Sequence, residues 1–320
     1  MSDGCRGLRR SELSVPGTNP KMISKAAASE ADLVFLDLED SVAANAKAGA
    51  RANVIDGLNE LDWHGKIRSC RVNAAGSPWF YDDLHELVTG AGANLDVIIL
   101  PKAKTARDVW FLDDSLSHLE RRAGLEPGRV GIEVLIEETE ALLNIDSIAA
   151  ASPRLEALIL GVGDLAASQR VPGGHIGAGP SDDGSGPPND IWDYARQRVV
   201  VASRAHGLEP IDGPYANFRD LAGYTRTAAS FAAIGGGGKW CIHPSQIACA
   251  NTAFSPTPEE IAAAEHIVSV VRAAEAEGLG AVAVDGVMVD AASARIFQQT
   301  LDRAQQCREA SDRQLDSLVS

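Results

Sequence analysis

The sequence predicts an α/β protein, a (β/α)8 TIM barrel with a small C-terminal lid subdomain. Three observations carry this reading. Short runs rich in Val, Ile and Leu recur along the chain, each followed by a polar or Gly/Pro element and an Ala-rich segment, the rhythm of parallel strands with helical crossovers. Eight such units fall within about 250 residues, as a closed barrel requires. A doubly wound sheet is the alternative, but it needs fewer strands, and no GxGxxG follows the first of them.

The strands follow in order. "SELSVPG" (Ser11 to Gly17), "LVFLDLE" (Leu33 to Glu39), "IRSCRVN" (Ile67 to Asn73) and "DVIILPK" (Asp96 to Lys102) make the first half. "VGIEVLIE" (Val130 to Glu137), "EALILGVGD" (Glu156 to Asp164), "LEPIDGP" (Leu208 to Pro214) and "GKWCIHP" (Gly238 to Pro244) make the second. A barrel interior is packed, so functional groups sit on the rim where strands end. That rim explains "LDLEDSV", in which an apolar strand runs into Asp37, Glu39 and Asp40. Arg71 and Asn73 end strand three, Lys102 ends strand four, Glu137 strand five, Asp164 strand six and His243 strand eight, with Asp212 on strand seven. After strand six, Arg170 to Asp190 is too poor in apolar residues to pack as core, which predicts a long mobile loop on the same rim.

The barrel is expected to occupy residues 1–254 and the lid 255–320. From Ser255 the chain reads as a capped helix, with Thr257 as N-cap, Pro258 at the first position and Glu260 three residues after the cap. "LGAVAVDGVMVD" then suits a hairpin with Asp285-Gly286 at its turn, and "AASARIFQQTLDRAQQ" a last helix.

Composition bounds the partners. The 320 residues are 45% apolar and carry a formal charge of -15, with no run of lysines or arginines. That balance argues against nucleic acid and anionic membrane as partners. Five scattered cysteines without a CxxC fit neither a disulfide framework nor a zinc site, so reduced thiols are expected. With no signal-like or spanning apolar stretch, the expected location is cytoplasmic.

Each candidate constellation has a structural alternative. Glu137 and Asp164 end neighbouring strands, and converging carboxylates repel unless a proton or cation lies between them. Oxygen ligands without nearby His or Cys point to magnesium, whereas the same acids also suit helix capping. Arg71 can bind a carboxylate or enolate oxygen in a fixed fork, or simply pair with the acids of "DLED". Glu39 and Asp40 are expected to orient Arg71 or a water on the metal, with Asp40 or Ser41 as a helix cap in the alternative. Arg9, Arg10, Lys21 and Lys25 form the one modest basic concentration, suited to phosphate or to a solvated face. "GGGGK", Gly235 to Lys239, lacks the Ser or Thr of a phosphate loop and is followed by Trp240 at an apolar strand. A Schiff-base aldolase would need Lys102 or Lys239, the only strand-end lysines, and neither has an evident setting that lowers its pKa.

The ordered motifs "RSELSVPG", "DLVFLDLEDSV", "CRVN", "ILPK", "IE" with "ALLN", "LGVGDLAAS", "IDGPY", "GKWCIHPSQI" and "DGVMVD" together resemble the HpcH/HpaI aldolase and citrate lyase beta-subunit family of CoA-ester lyases. "PRLEALILGVGDLAAS" and "IDGPYANFRDLAGY" look closer to its malyl-CoA and β-methylmalyl-CoA lyase branch. The resemblance spans about Arg10 to Ala304. It implies magnesium, with manganese an alternative ion, on Glu137 and Asp164, and Arg71 on the reacting oxygens. It implies CoA contacts from Arg10, Lys25 and Lys102. It further implies a lid acid, Asp290 with Asp285 the lesser candidate, acting in a neighbouring subunit of a homotrimer or homohexamer. Many relatives have Thr or Asp after the metal-binding Glu, where this chain has Glu138.

The expected reaction is reversible cleavage of malyl-CoA or β-methylmalyl-CoA to acetyl-CoA or propionyl-CoA plus glyoxylate. The partners are then an acyl-CoA thioester and a small 2-oxo acid. Rival expectations are a citramalyl-CoA lyase releasing pyruvate, a malyl-CoA thioesterase, and a CoA-binding subunit without catalysis.

Overall fold

The computed structural model describes residues 7–172, 176–178, 190–284 and 286–319, with side-chain surroundings as far as 312. All eight predicted strands form: β1 Ser11–Pro16, β2 Leu33–Asp37, β3 Ile67–Arg71, β4 Val97–Leu100, β5 Gly131–Ile136, β6 Leu155–Leu160, β7 Glu209–Asp212 and β8 Gly238–Cys241. Each runs parallel to the next, and β8 pairs with β1, so the barrel is closed. The helices outside it are α1 Pro20–Ala27, α2 Lys47–Glu60, α3 Phe80–Ala91, α4 Ala106–Arg122, α5 Thr139–Leu143, α6 Ile145–Ala149, α7 Val162–Gln169, α8 Asp193–Ala205, α9 Leu221–Ala233 and α10 Ile247–Ala253.

The strands end earlier than the sequence suggests. The polar tails Glu39, Asn73 and Glu137 lie past the last paired residues, and Asp164 belongs to the first turn of α7 rather than to β6. Alternation decides which of these groups face inward. Leu33, Phe35, Ile67, Val97, Ile99, Leu135, Ile159, Ile211 and Trp240 fill the barrel interior. Val34, Leu36, Leu38 and Cys70 instead pack in the layer shared with the helices. Asp37, Arg71 and Glu137 therefore continue the inward rows begun by Phe35, Ile67 and Leu135.

The same alternation corrects Asp212. Its neighbour Ile211 faces inward, so its carboxylate faces the helix layer, fully buried between Lys239 and Arg196 of α8. Burial would raise this acid, but the two cations outweigh it and hold it below the ordinary carboxylate range. It is a structural acid and takes no part in the rim.

Arg10 is corrected as well. It precedes β1 and so lies at the amino-terminal end of the barrel, opposite the rim, clasped by Asp32 at 2.8 Å. Related pairs close that end: Arg9 with Glu133 at 2.6 Å and Glu156 at 2.5 Å, Arg68 with Asp96 at 2.9 Å, and Arg154 with Glu120 at 2.7 Å. Phosphate contact at the rim is not open to Arg10. Lys25 is exposed in the last turn of α1.

The chain divides into two compact units, Met1–Phe254 and Ser255–Ser320. The second contains α11 Pro258–Ala276, the antiparallel pair β9 Ala281–Val284 and β10 Val287–Asp290, and α12 Ala291–Val319. Thr257 and Glu260 form the expected reciprocal cap on α11. Asp285 and most of the expected rim loop lie outside the described residues. Among the described residues no helix is long and apolar enough to cross a membrane.

Candidate active site

The rim is built around Arg71. Its Nε and Nη2 donate to the two oxygens of Asp37, each at 2.7 Å, while Nη1 lies 3.1 Å from Glu39 and 4.0 Å from Asp40. This is the fork geometry that a planar guanidinium forms with a carboxylate. Desolvation would raise Asp37, yet Arg71 holds it below the ordinary range, and Arg71 is in turn raised by Asp37 against its own burial. The pairing with "DLED" thus exists, and it leaves other N–H groups of the guanidinium for a ligand. Lys102 continues the network, its ammonium 2.5 Å from Glu39 and 3.3 Å from Asp40. Burial would lower that ammonium, but its bond to Glu39 raises it, the reverse of what a Schiff-base lysine needs.

Glu137 and Asp164 form the second half. Glu137 is buried, and one carboxylate oxygen accepts the backbone N–H of Lys102 at 2.7 Å. Lys102 adopts φ +53°, a left-handed conformation that costs a non-glycine residue about 1 kcal/mol or more. A Cβ on Gly161 would come within 2.8 Å of the other Glu137 oxygen, so only glycine lets that side chain lie where it does. Burial first, and the charge of Asp164 second, push the Glu137 carboxyl up to about 8. Asp164 makes no hydrogen bond among the described residues. N-cap positions of α5 and α7 belong to Glu138 and Gly161, so neither candidate acid is spent as a helix cap.

This donor set fits a hard divalent cation. Among the described residues no group of three or more His, Cys, Asp or Glu side chains forms a complete metal cage. Magnesium does not need one, because it keeps several waters and is commonly held by one or two carboxylates plus substrate oxygens. Glu138, which alternation turns away from Glu137, accepts Ser168 Oγ on α7 at 3.0 Å and so helps fix the helix that carries Asp164.

Other predicted residues have local duties. His243 is exposed and caps the short 3-10 turn Pro244–Gln246 through Ser245 N at 3.2 Å. In the second unit, Asp290 is exposed and accepts Ala292 N and Ser293 N, each at 2.9 Å, all through Oδ1. The Ser293 N–H lowers its carboxyl below the ordinary range. Two contributors had no signature in the sequence. The Lys47 ammonium grips the carbonyls of Leu38 and Glu39 at 2.8 and 3.0 Å and Asn73 at 2.5 Å, fixing the acidic loop. Trp240 lies with its ring beneath Arg71, 5.6 Å from Cζ.

Comparison with known proteins identifies the family. The family model HpcH/HpaI aldolase/citrate lyase matches residues 10–244. An L-malyl-CoA/beta-methylmalyl-CoA lyase of Cereibacter sphaeroides is 41% identical over 289 residues, covering 89% of this chain and 91% of the relative. A malyl-CoA/beta-methylmalyl-CoA/citramalyl-CoA lyase of Chloroflexus aurantiacus is 33% identical, covering 87% and 82%. Among solved structures, CitE of Mycobacterium tuberculosis in complex with magnesium, acetoacetate and coenzyme A superposes with TM-score 0.73 at 29% identity, covering 94% of this chain and 99% of that one. The chain belongs to the HpcH/HpaI aldolase/citrate lyase family.

Proposed function

We propose that this chain is a magnesium-dependent CoA-ester lyase that reversibly cleaves malyl-CoA and β-methylmalyl-CoA to acetyl-CoA or propionyl-CoA plus glyoxylate. The supporting observation is the pairing, on one rim, of a fixed guanidinium with two carboxylates that cap no helix. The 41% identity to an enzyme named for these two substrates supports the choice of acyl group.

Cleavage breaks the carbon–carbon bond beside the hydroxyl carbon. The hydroxyl gives its proton to water as its carbon becomes a carbonyl, and the bond's electron pair passes to the thioester fragment as an enolate. Held by Glu137 and Asp164, magnesium would supply Lewis acidity toward the hydroxy-acid oxygens. Arg71 would stabilise the enolate oxygen, a role in which loss of one donor costs on the order of 3 kcal/mol. Asp37 and Glu39 hold the guanidinium for it. Asp290, whose Oδ2 makes no hydrogen bond among the described residues, would protonate the enolate carbon and reclaim that proton in synthesis. On this reading it arrives on the lid of a neighbouring subunit, in a homotrimer or homohexamer. Of the predicted CoA-binding cations, Lys25 and Lys102 remain.

The test mixes purified protein with glyoxylate and acetyl-CoA or propionyl-CoA, with magnesium or with EDTA, and reads CoA products by mass spectrometry. Malyl-CoA or methylmalyl-CoA formed only with magnesium is the expected result. Free CoA with malate would replace the lyase by a thioesterase, and no product would refute it. The Chloroflexus relative's name favours a second acceptor, so pyruvate belongs in the same assay, where citramalyl-CoA would widen the substrate range.

A further inference from the structure

We propose that Trp240, keyed by Glu12, is a positioning residue that fixes the plane of the Arg71 guanidinium. The inference rests on the reading of Arg71 given above. Asp37 and Glu39 meet the guanidinium at its N–H edge, which restrains it within its plane and leaves its faces to other contacts. Arg71 Cζ lies over the face of the indole, 5.6 Å from the ring centroid, within the range in which an aromatic ring attracts a cation.

That indole is itself keyed. Its N–H can only donate, and it is buried, so it needs an acceptor. Glu12, its registered neighbour on β1, accepts through Oε2 at 2.8 Å. Phe35 packs against the ring with centroids 4.4 Å apart. Glu12 is fully buried and its second oxygen has no hydrogen-bond partner among the described residues, so the indole N–H is the one hydrogen bond its carboxyl makes there, while Arg9 and Glu133 act on it through charge. Replacing it by an apolar residue would strand the indole N–H, and the ring would turn to find another acceptor. An arginine aimed at an enolate oxygen needs a fixed plane, because small misplacements of a catalytic group cost up to about 100-fold in rate.

The test compares Trp240→Phe and Glu12→Gln with Trp240→Leu and Glu12→Leu in the full chain. Phenylalanine keeps a ring beneath the cation, and the glutamine carbonyl still accepts the indole N–H. Turnover should stay within about threefold of the parent in that pair and fall about 10–100-fold in the leucine variants, with KM changed less than about threefold. A second readout is the Arg71 Nε–H resonance, assigned by its loss in Arg71→Lys. It should keep its position in the conservative pair and shift or broaden in the leucine pair. An unchanged Arg71 signal in folded Trp240→Leu overturns the inference, whether or not the parent shows lyase turnover. Lower thermal stability with turnover intact overturns it too and leaves the lyase reading standing, while a parent without lyase activity defeats only that reading.

Discussion

Replacing Asp212 by asparagine separates a structural acid from a catalytic one. The carboxylate is shared by Lys239 and Arg196, both buried. Asparagine keeps the shape and removes the charge. Arg196 retains Asp190 at 2.5 Å, but Lys239 retains no carboxylate among the described residues, keeping the carbonyl of Gly213 at 3.0 Å and the Tyr224 ring at 5.5 Å. Burial already draws the Lys239 ammonium down, and Asp212 is the main influence opposing it. Without Asp212 the loss should fall in the usual range for a broken buried pair, about 3–5 kcal/mol. At about 2–4 °C per kcal/mol for a unit of this size, the melting midpoint should fall by about 6–20 °C. Because the folded pKa of Asp212 is depressed, its stabilisation is present above the ordinary carboxylate pKa and is lost as pH falls through the folded value, so the gap closes only in acid. Calorimetric melts between pH 4 and 8 should therefore show a steady gap, which narrows only in more acid solution. Turnover measured below both midpoints should be unchanged, since the side chain faces α8 rather than the barrel interior. A midpoint shift under about 2 °C, or lost turnover with an intact midpoint, would refute the reasoning.

Three further outcomes are expected. The Glu137 carboxyl, raised to about 8, favours folding fully below the unfolded carboxylate range and loses that contribution as pH rises through about 8. Metal-free protein should therefore lose thermal stability between pH 6 and 9 and recover it with magnesium; equal slopes with and without the ion, or unchanged magnesium affinity in Asp164→Asn, would contradict the pair. Lys102→Gly should be about 1 kcal/mol more stable than Lys102→Ala, because glycine accepts the φ of +53° without strain and keeps the amide that holds Glu137. Denaturant melts of the two variants decide it, and alanine equal to glycine counts against it. Asp290→Asn should still bind acetyl-CoA by calorimetry yet fail to exchange its methyl protons with deuterated water, a role that full exchange would exclude.

The eight strands were legible because buried parallel strands are written as apolar runs with little else between their turns. So was the rim, since Asp37, Glu39, Arg71 and Glu137 are where the runs say they should be. Asp212 was misread because a strand-end acid can face either layer, and one residue of alternation decides which. Arg10 was misread because parallel strands have a direction: a residue before a strand and a residue after it lie at opposite ends. Asp290 accepts the backbone N–H of Ser293 three residues on, a local pattern that the reading of Asp290 as a lid acid did not include. Lys47, Glu12 and Trp240 act through partners distant in the chain, and no local pattern announces them.

The arginine–carboxylate pairs at the amino-terminal end have a consequence for how this protein tolerates change. The six residues of β6 separate the Arg154–Glu120 pair from the rim by about 20 Å, beyond the distance at which substitutions usually couple. A lesion in the Arg154–Glu120 pair and a lesion among Asp37, Arg71 and Glu39 should therefore add in free energy rather than compound. One end of the molecule can then be rewritten for a new acceptor while the other keeps the barrel shut, and the two can drift independently.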